Sequence, residues 1–310
     1  VPTNFFYSLI FGLLSGNSNI VKVPSNNFFQ INIICESIKI TLLEPKFNKI
    51  KNFISIVRYK DNEINRISEN ISKICDVRII WGGDKTINKI REFTLKPHAY
   101  DITFSDRTSL CILNIEKILK INNKELSKLI RNFYNDTYTA DQNACSSPHL
   151  ILWFGNGNIK TAQNKFWNEL NKKVIKDYIA PDIATLEKYN QFCKDAVLIK
   201  NIKSNKIYSK YLYTLEINKL NNNIDSLKGK WGYFYEYRIK NLKEIKNLIS
   251  KKFQTMTYFG FEKEFIQNFI KEYSNNGIDR AVPVGQALDI NLVWDGHDLI
   301  STLSRKVIIQ

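Results

Sequence analysis

The sequence predicts an α/β protein with a parallel sheet, and two observations carry this prediction. Residues 19–23, 53–57 and 76–81 are short apolar segments, and each is followed by residues with the periodicity of a helix. The connecting turns are short and contain Gly, Pro and Asn. Strands that alternate with helices in this way favour parallel pairing with right-handed crossovers.

Four helical patterns accompany these strands in the N-terminal third of the chain. Residues 5–14 form the first, which Thr3 or Asn4 can cap and which Gly16 can end in a left-handed conformation. The next three helices are predicted over residues 24–43, 62–74 and 85–93.

The rest of the chain contains strands and helices at less regular spacing. Strands are expected at residues 109–113, 150–154, 233–237, 255–259, 281–284, 290–293 and 305–309. Helices are expected at residues 124–137, 160–174, 242–250 and 262–273, the last one ending at residues 275–277. Residues 177–230 are predicted to form short strands and loops rich in Asn and Lys.

The charge balance restricts the classes of partner. The chain has 310 residues, with 45 Lys and Arg against 30 Asp and Glu, a formal net charge of +15. The lysines are dispersed and no arginine cluster stands out, so we predict no nucleic acid partner but a preference for anionic small ligands. No apolar segment has the length of a membrane span.

Cysteine and histidine usage argues against a metal site and favours the cytoplasm. The five cysteines and three histidines lie far apart and lack metal-ligand spacing. An odd, unpatterned set of cysteines is typical of reduced, cytoplasmic proteins. The chain begins with Val1-Pro2 rather than Met, and within a motif, so we expect a fragment that lacks its natural N-terminal part.

One cysteine stands in a context that favours chemistry. Cys145 follows the small, polar residues 139–144 and precedes Pro148 and the apolar segment 150–154. A thiol is therefore expected at a turn before a buried strand, where backbone N–H groups can favour the nucleophilic thiolate. A half-buried cysteine that only packs in a tight loop is the alternative.

Two turns at the carboxyl ends of predicted strands are candidate nucleotide sites. They comprise residues 22–25 and 82–84. Parallel sheets bind ligands at this edge, and the helices that follow offer their N-termini to an anion. Neither turn matches a GxGxxG motif or a phosphate-binding loop, and Gly-Gly after a strand is also an ordinary turn.

Five segments along the chain form a characteristic set. They are Phe6-Tyr-Ser with Gly12-Leu-Leu-Ser-Gly-Asn-Ser-Asn-Ile-Val-Lys22, Trp81-Gly-Gly83, Asp141-Gln-Asn-Ala-Cys-Ser-Ser-Pro-His149, Gly277-Ile-Asp-Arg-Ala-Val-Pro-Val-Gly-Gln286, and Trp294-Asp-Gly296 with Leu303-Ser-Arg305. In order and spacing the set resembles the aldehyde dehydrogenase superfamily, and within it the LuxC-type acyl-CoA reductases.

The resemblance implies an aldehyde dehydrogenase-like α/β fold with an active site in the cleft between two domains. Residues 1–104 would be a Rossmann-like NADP-binding domain, residues 105–290 the catalytic domain, and residues 291–310 a segment returning to the domain or subunit interface. A long-chain fatty acyl thioester, of CoA or of an acyl-protein, would acylate Cys145, and NADPH would reduce the acyl group to a fatty aldehyde.

The resemblance also implies which groups stabilise the oxyanion. The backbone N–H of Cys145 would act together with an asparagine amide. Asn4 is the candidate in this chain. The family's spacing places that asparagine just before Val1, and a helix cap is the competing interpretation of Asn4.

Cofactor contacts are implied at the two strand ends. Lys22 would bind the adenosine ribose, and Gly82 and Gly83 would contact the cofactor. Ser25 stands where NAD-preferring members often carry glutamate, and would leave room for the 2′-phosphate of NADPH.

Two segments depart from the family pattern. Thr103 stands where hydrolytic aldehyde dehydrogenases carry a general-base glutamate, which suits an enzyme that protects its acyl intermediate from water. Residues 229–232 replace a Glu-x-Phe-Gly segment whose glutamate holds the nicotinamide ribose. His149 is expected to be structural rather than a base, and Arg280 to form a surface salt bridge rather than bind CoA.

Two other function classes stay open on the residues alone. One is a cofactor-independent cysteine acyltransferase or thioesterase, and the other is a non-enzymatic basic binding protein. The resemblance adds acyltransferase and acyl-protein synthetase subunits as possible partners. Residues 305–309 resemble a family segment used in subunit pairing, which predicts a homo-oligomer.

Overall fold

The computed structural model describes residues 3–59, 64–220, 224–246, 249–273 and 277–310. The chain divides into two units, Val1–Asp106 with Asn291–Gln310, and Arg107–Ile290. Each unit has β-sheet structure and buried apolar residues of its own.

The first unit alternates helices and strands, as predicted. Its elements are α1 (Asn4–Leu14), β1 (Asn19–Lys22), α2 (Phe29–Thr41), α3 (Asn48–Lys51), β2 (Ile54–Val57), α4 (Ile64–Ile74), β3 (Val77–Trp81), α5 (Asp84–Arg91) and β4 (Tyr100–Phe104). Strand β1 pairs in parallel with β2, and β3 with β4, so the described strands form two separate parallel sheets. The sequence does not predict β4, since only Ile102 and Phe104 are buried in it.

Helix α1 packs closely on β1. A Cβ atom at Gly12 would overlap the Asn19 side chain, so glycine allows the close approach. Leu9 of α1 and Val21 of β1 share one apolar cluster. The sheet and its first helix therefore bury a common apolar face.

The two ends of α1 show one confirmed prediction and one correction. Gly16 follows the helix with φ +75°, as predicted for a left-handed end. Thr3 rather than Asn4 takes the N-cap position, and Asn4 is the first helical residue. The interpretation of Asn4 as the helix cap is therefore wrong.

The second unit is built on a seven-stranded sheet. Its strands are β5 (Thr108–Asn114), β6 (Pro148–Phe154), β7 (Ile202–Ser209), β8 (Leu212–Ile217), β9 (Tyr233–Ile239), β10 (Phe253–Phe259) and β11 (Arg280–Pro283), in the spatial order β11-β10-β5-β6-β9-β8-β7. Neighbouring strands are parallel except β7 and β8. The helices are α6 (Ile115–Lys120), α7 (Asn123–Thr137), α8 (Ile159–Asp177), α9 (Asp182–Leu198), α10 (Lys243–Lys246) and α11 (Lys263–Tyr273).

Apolar side chains cover both faces of this sheet. On one face, Trp153 of β6 packs with Phe133 of α7 and Trp167 of α8. On the other, Leu152 of β6 and Met256 of β10 belong to a second cluster. Strands that are buried on both faces carry continuous apolar residues, which explains why residues 109–113 and 150–154 could be predicted as strands from the sequence.

Helix α9 corrects the prediction of loops and short strands between residues 177 and 230. The helix begins directly after Pro181 and extends to Leu198. Its apolar side chains are not confined to one face, since Ile183, Leu186 and Val197 are 53%, 55% and 82% exposed. A helix is identified in a sequence by apolar residues that recur at helical spacing on one face, and α9 lacks such a regular pattern.

The C-terminal segment belongs to the first unit and differs from the prediction. It contains β12 (Val293–Trp294), which pairs antiparallel with β13 (His297–Asp298), and helix α12 (Leu299–Thr302). Residues 305–309 pair with no strand in the part of the chain that the structure describes, so the predicted terminal strand is not formed within the chain, and its use in subunit pairing stays a prediction. Apolar composition favours a strand, but a strand also needs a partner for its backbone.

Candidate active site

Cys145 lies between α7 and β6, at the amino end of the seven-stranded sheet. The Ala144 carbonyl accepts a hydrogen bond from the Ser147 N–H at 2.9 Å, which closes a turn around Cys145. The Cys145 carbonyl accepts from Ser109 Oγ at 2.6 Å, and this Oγ accepts from the Thr255 N–H at 3.1 Å. Cys145 forms no disulfide and is partly exposed. The turn predicted around Cys145 is therefore present, and it is tied to β5 and β10.

Gln142 fastens the same loop from inside the protein. Its Nε2 donates to the Pro148 carbonyl at 3.2 Å and to the Tyr233 carbonyl at 3.0 Å. Its Oε1 accepts from the N–H groups of Gly232 at 3.0 Å and Tyr233 at 3.1 Å. The side chain is 1% exposed, so one buried amide uses both donors and both acceptor positions on backbone groups.

Two consecutive residues of this loop have left-handed backbone conformations. Asp141 has φ +54° and Gln142 has φ +57°, which is uncommon for residues other than glycine. The Asp141 carboxylate accepts from the Tyr178 hydroxyl at 2.7 Å, and its carbonyl accepts from the Trp231 N–H at 3.3 Å. Burial is the main reason why the pKa of Tyr178 is raised above its ordinary value, and the Asp141 carboxylate raises it further. The hydroxyl group therefore stays protonated and donates the hydrogen bond. Strained backbone held by such bonds is concentrated at functional sites.

The segment of residues 229–232 packs directly against the Cys145 loop, which comprises residues 138–147 between α7 and β6. A Cβ atom at position 229 would overlap the Tyr233 carbonyl. Gly232 has φ +83°, and a Cβ there would overlap the Tyr211 carbonyl and the Tyr138 hydroxyl. A glutamate therefore does not fit at position 229, which gives a steric reason for its absence.

Asp136 supports the loop from the other side. The Asp136 carbonyl accepts from Ser147 Oγ at 2.7 Å. Its carboxylate accepts from the N–H groups of Gly285 at 2.6 Å and Ala287 at 2.9 Å. Burial raises the pKa of Asp136 to about 6, against the opposing effect of these two N–H groups. One residue thus joins the Cys145 loop to the residues that follow β11.

His149 and Arg280, two further residues near the predicted site segments, have defined positions in the structure. His149 is the second residue of β6, buried, at a register shift between β5 and β6, and it does not share a helix face with Cys145. The Arg280 guanidinium donates to the carbonyls of Gln286 at 2.6 Å and Ala287 at 2.9 Å. Arg280 therefore shapes the segment that binds Asp136.

Two of the other cysteines are poor candidates for the nucleophile. Cys111 is 0% exposed in β5, and burial raises the pKa of its thiol far above the ordinary value. Burial also raises the pKa of Cys75. The thiolate is the reactive form, so both thiols are less reactive than an ordinary cysteine.

The carboxyl edge of β1 and β2 carries exposed basic and hydroxyl side chains. Lys22 ends β1, with its Nζ 5.0 Å from the centroid of the Tyr59 ring, and Ser25 follows in the loop before α2. Arg58 directly follows β2, and its guanidinium donates to Asn27 Oδ1 at 3.4 Å. Arg58 is not among the residues predicted from the sequence, although a basic residue directly after a strand is a usable signal.

The turn after β3 exposes its backbone. The Gly82 N–H donates to the Phe104 carbonyl at 3.1 Å and extends the pairing of β3 with β4. Gly83 is the N-cap of α5, and a Cβ atom there would meet nothing within 4 Å. Asp84 lies in the first turn of α5, where a carboxylate disfavours a bound phosphate. The open backbone therefore suits an uncharged part of a nucleotide.

The remaining site predictions concern Asn4, metals and the membrane. Asn4 is half-buried at the start of α1, and its role as an oxyanion donor stays a prediction. No cluster of His, Cys, Asp and Glu suited to a metal is found within the described ranges. Among the helices of the described residues, none has the length and apolarity needed to cross a membrane.

Comparisons with known proteins agree with this architecture. The family described as acyl-CoA reductase (LuxC) matches residues 1–306. A long-chain acyl-protein thioester reductase of Photorhabdus laumondii is 23% identical over 99% of this chain and 60% of its own length. The protein of the same name from Aliivibrio fischeri is 24% identical over 98% of this chain and 60% of its own length. The chain thus spans about 60% of the length of these curated relatives.

Solved structures show the same fold at low sequence identity. Glyceraldehyde-3-phosphate dehydrogenase GapN of Methanocaldococcus jannaschii, complexed with NADP, has a TM-score of 0.62 at 13% identity over 94% of this chain and 63% of that chain. Staphylococcus aureus AldH has a TM-score of 0.58 at 14% identity over 90% of this chain and 59% of that chain. The predicted aldehyde dehydrogenase-like α/β fold is confirmed. With the family match over nearly all of its residues, the chain belongs to the LuxC family of acyl-CoA reductases.

Proposed function

We propose that this chain carries the nucleophile and nucleotide-binding residues of an NADPH-dependent long-chain acyl-thioester reductase. The observation that carries the proposal is the placement of Cys145: a partly exposed cysteine outside any disulfide, on a turn whose backbone is fastened by Ser109, Gln142 and Asp136. Relatives over the same residues are named long-chain acyl-protein thioester reductases.

The first chemical step needs only the cysteine and the thioester. The Cys145 thiolate attacks the acyl carbonyl, the bond from that carbon to the departing sulfur breaks, and the leaving thiolate takes up a proton. One thioester replaces another, so no oxidant or reductant is consumed. The backbone N–H of Cys145 and an asparagine amide such as that of Asn4 would stabilise the oxyanion.

The residues at the carboxyl edge of β1 and β2 fit a phosphorylated dinucleotide. Lys22 and Arg58 bring two positive charges to the edge where Ser25 supplies a small hydroxyl side chain. In the turn after β3, Gly83 leaves space beside the backbone for the cofactor, whereas a Cβ atom at the neighbouring Gly82 would press against the Thr86 side chain. When bound, NADPH supplies the hydride that converts the acyl thioester to aldehyde.

Thr103 supports reduction rather than hydrolysis. It lies in β4, and a hydroxyl group cannot take a proton from water at neutral pH as a carboxylate does. An acyl group on Cys145 would then persist until it is reduced. The resulting aldehyde departs and returns the thiolate.

The same proposal covers organisation and partners. Residues 1–104 would bind NADP, residues 105–290 would carry the acyl group, and residues 291–310 would lie at a domain or subunit interface. A fatty acyl-CoA or acyl-protein would be the donor. The partners would be acyltransferase or acyl-protein synthetase subunits. The protein would form a homo-oligomer and would be located in the cytoplasm.

A labelling experiment tests this function. The protein is incubated with radiolabelled long-chain acyl-CoA, and the labelled peptide is identified before and after NADPH is added. We expect hydroxylamine-labile label on Cys145 that leaves as aldehyde, no label in Cys145→Ala, and normal label in Cys193→Ala, which removes an exposed cysteine. Label released as free acid would indicate a thioesterase. Folded protein that takes up no label would exclude both.

A further inference from the structure

A buried lysine outside the predicted site contacts the segment that faces the Cys145 loop. Lys188 lies on α9 and is 2% exposed. Its Nζ donates to the Trp231 carbonyl at 2.8 Å and lies 4.9 Å from the centroid of the Tyr213 ring. Lysine is rarely buried to this extent without a carboxylate partner, which makes its position notable.

The Trp231 carbonyl belongs to the same peptide unit as the Gly232 N–H. That N–H donates to Gln142 Oε1 at 3.0 Å. A chain of hydrogen bonds therefore runs from Lys188 through one peptide group to Gln142, and Gln142 is part of the Cys145 loop. A positive charge on Lys188 polarises this peptide and strengthens the donation from Gly232, because hydrogen bonds in series reinforce each other.

The peptide unit itself has little freedom to move. Trp231 has φ +58° and Gly232 has φ +83°, and Gly232 packs against Tyr138 and Tyr211. The Trp231 N–H is bound to the Asp141 carbonyl at 3.3 Å. A change at Lys188 therefore reaches Gln142 through a tightly packed link.

We infer that Lys188 is a positioning residue for Cys145, acting through the Trp231–Gly232 peptide and Gln142. The inference rests on the proposed role of Cys145 as the acylated nucleophile. Lys188 does not touch substrate, and its contribution is the orientation of the loop that presents the thiol to an acyl carbonyl.

The protonation of Lys188 makes this link sensitive to pH. Burial lowers the pKa of Lys188 to about 7. Beside the link, the carboxylate of Glu187 accepts from the Trp231 indole at 2.9 Å. Tyr213 of β8 faces the ammonium with its ring, and the Asp141 carboxylate is occupied by Tyr178. Below that pKa the lysine is charged and holds the peptide strongly, and above it the neutral amine is a weaker donor.

The test measures the rate of Cys145 acylation by a radiolabelled acyl thioester, one pH unit below and one above the pKa of Lys188. We expect Lys188→Met to slow acylation by about 10-fold at the lower pH, in line with the loss of one charge-assisted hydrogen bond. The deficit should shrink at the higher pH, where the unmodified protein also lacks the charge.

Lys165→Met is the matched control. Lys165 also donates to backbone carbonyls, those of Leu119 at 3.1 Å and Ile121 at 2.7 Å, but has no bond to the segment of residues 229–232. The ratio of the acylation rate of Lys165→Met to that of the unmodified protein should be the same at both pH values. An equal deficit at both pH values in Lys188→Met, or no deficit, would overturn the inference.

A measurement on the unmodified protein covers the case in which Lys188→Met does not fold. The NMR shift of the Gly232 amide should titrate with a midpoint near the pKa of Lys188. The amide of Gly155, which is bound to the Ile239 carbonyl at 3.2 Å, should not. A Gly232 shift that does not titrate overturns the inference, whereas protein that is never acylated on Cys145 overturns the proposed function instead.

Discussion

Gln142 and Tyr233 exchange two hydrogen bonds, so that a side-chain amide pairs with the backbone at the start of β9 as a neighbouring strand would. Gln142 Oε1 accepts from the Tyr233 N–H at 3.1 Å, and Gln142 Nε2 donates to the Tyr233 carbonyl at 3.0 Å. This pairing joins the Cys145 loop to the seven-stranded sheet through a residue that local sequence pattern does not mark as important.

Gln142→Glu is expected to destabilise the protein by about 3 kcal/mol, because the carboxylate is buried and faces two carbonyl groups where the amide donated. The free energy of unfolding in urea measures the effect. Gln267→Glu, on an exposed position of α11, makes the same chemical change and should be nearly neutral. Equal stability of the two variants would contradict the importance of the Gln142 pairing.

Gly232→Ala is expected to cost about 3 kcal/mol, since the residue has positive φ and its Cβ would overlap the Tyr211 carbonyl. Gly83→Ala is the steric control, because a Cβ atom there meets nothing within 4 Å. Thermal unfolding of both variants provides the comparison. A Gly232→Ala protein as stable as Gly83→Ala would show that residues 229–232 can move aside.

Asp136→Asn should remove a pH dependence of stability. The pKa of Asp136 is raised from 3.8 to about 6 in the folded protein, so the folded state binds more protons than the unfolded state between these values. The contribution of Asp136 to stability is therefore present at low pH and decreases as pH rises through this window, by about 3 kcal/mol in total. Unfolding free energies of both proteins across the window measure the difference.

The test is how the difference in unfolding free energy between the unmodified protein and Asp136→Asn changes with pH. The unmodified protein should lose stability relative to Asp136→Asn as the pH rises from 4 to 6, the range between the two pKa values of Asp136. A constant difference would indicate that the carboxyl group does not titrate in this range. Groups elsewhere titrate equally in both proteins and cancel.

Glu236→Leu is expected to destabilise the second unit by about 3–5 kcal/mol, because it leaves buried donors without an acceptor. The Glu236 carboxylate accepts from the indoles of Trp153 at 2.6 Å and Trp167 at 2.7 Å, and from Gln163 Nε2 at 3.0 Å. Denaturant unfolding followed by tryptophan fluorescence measures the loss. Glu264→Leu, at an exposed position of α11, is the control that should change little.

Ser25→Glu is expected to weaken NADPH binding by about 10-fold or more while NADH binding changes less, because a carboxylate repels the 2′-phosphate. Titration of both nucleotides by fluorescence gives the ratio. Ser18→Glu adds the same charge just before β1, at the opposite end of that strand, and should leave the ratio unchanged. A parallel loss for both nucleotides in Ser25→Glu would place the 2′-phosphate elsewhere.

Secondary structure was predictable wherever burial leaves a regular pattern in the chain. Strands β5 and β6 are apolar on both faces, and α7 carries Leu129 and Phe133 on its core side, so each is legible locally. Helix α9 and strand β4 lack such regular burial, and the terminal residues 305–309 have strand composition without a described partner strand. Pairing and burial depend on residues far away in the chain, which local pattern does not report.

By itself the sequence determined the alternation of helices and strands, the family, and the turn that presents Cys145. The tertiary structure decided what holds that turn. The partners of Gln142 come from residues 148, 232 and 233, and Lys188 of α9 donates to the Trp231 carbonyl, in the same peptide unit as the Gly232 N–H. Covalent order along the chain sets local propensity, whereas hydrogen bonds to backbone groups become specific only when distant segments pack and exclude water.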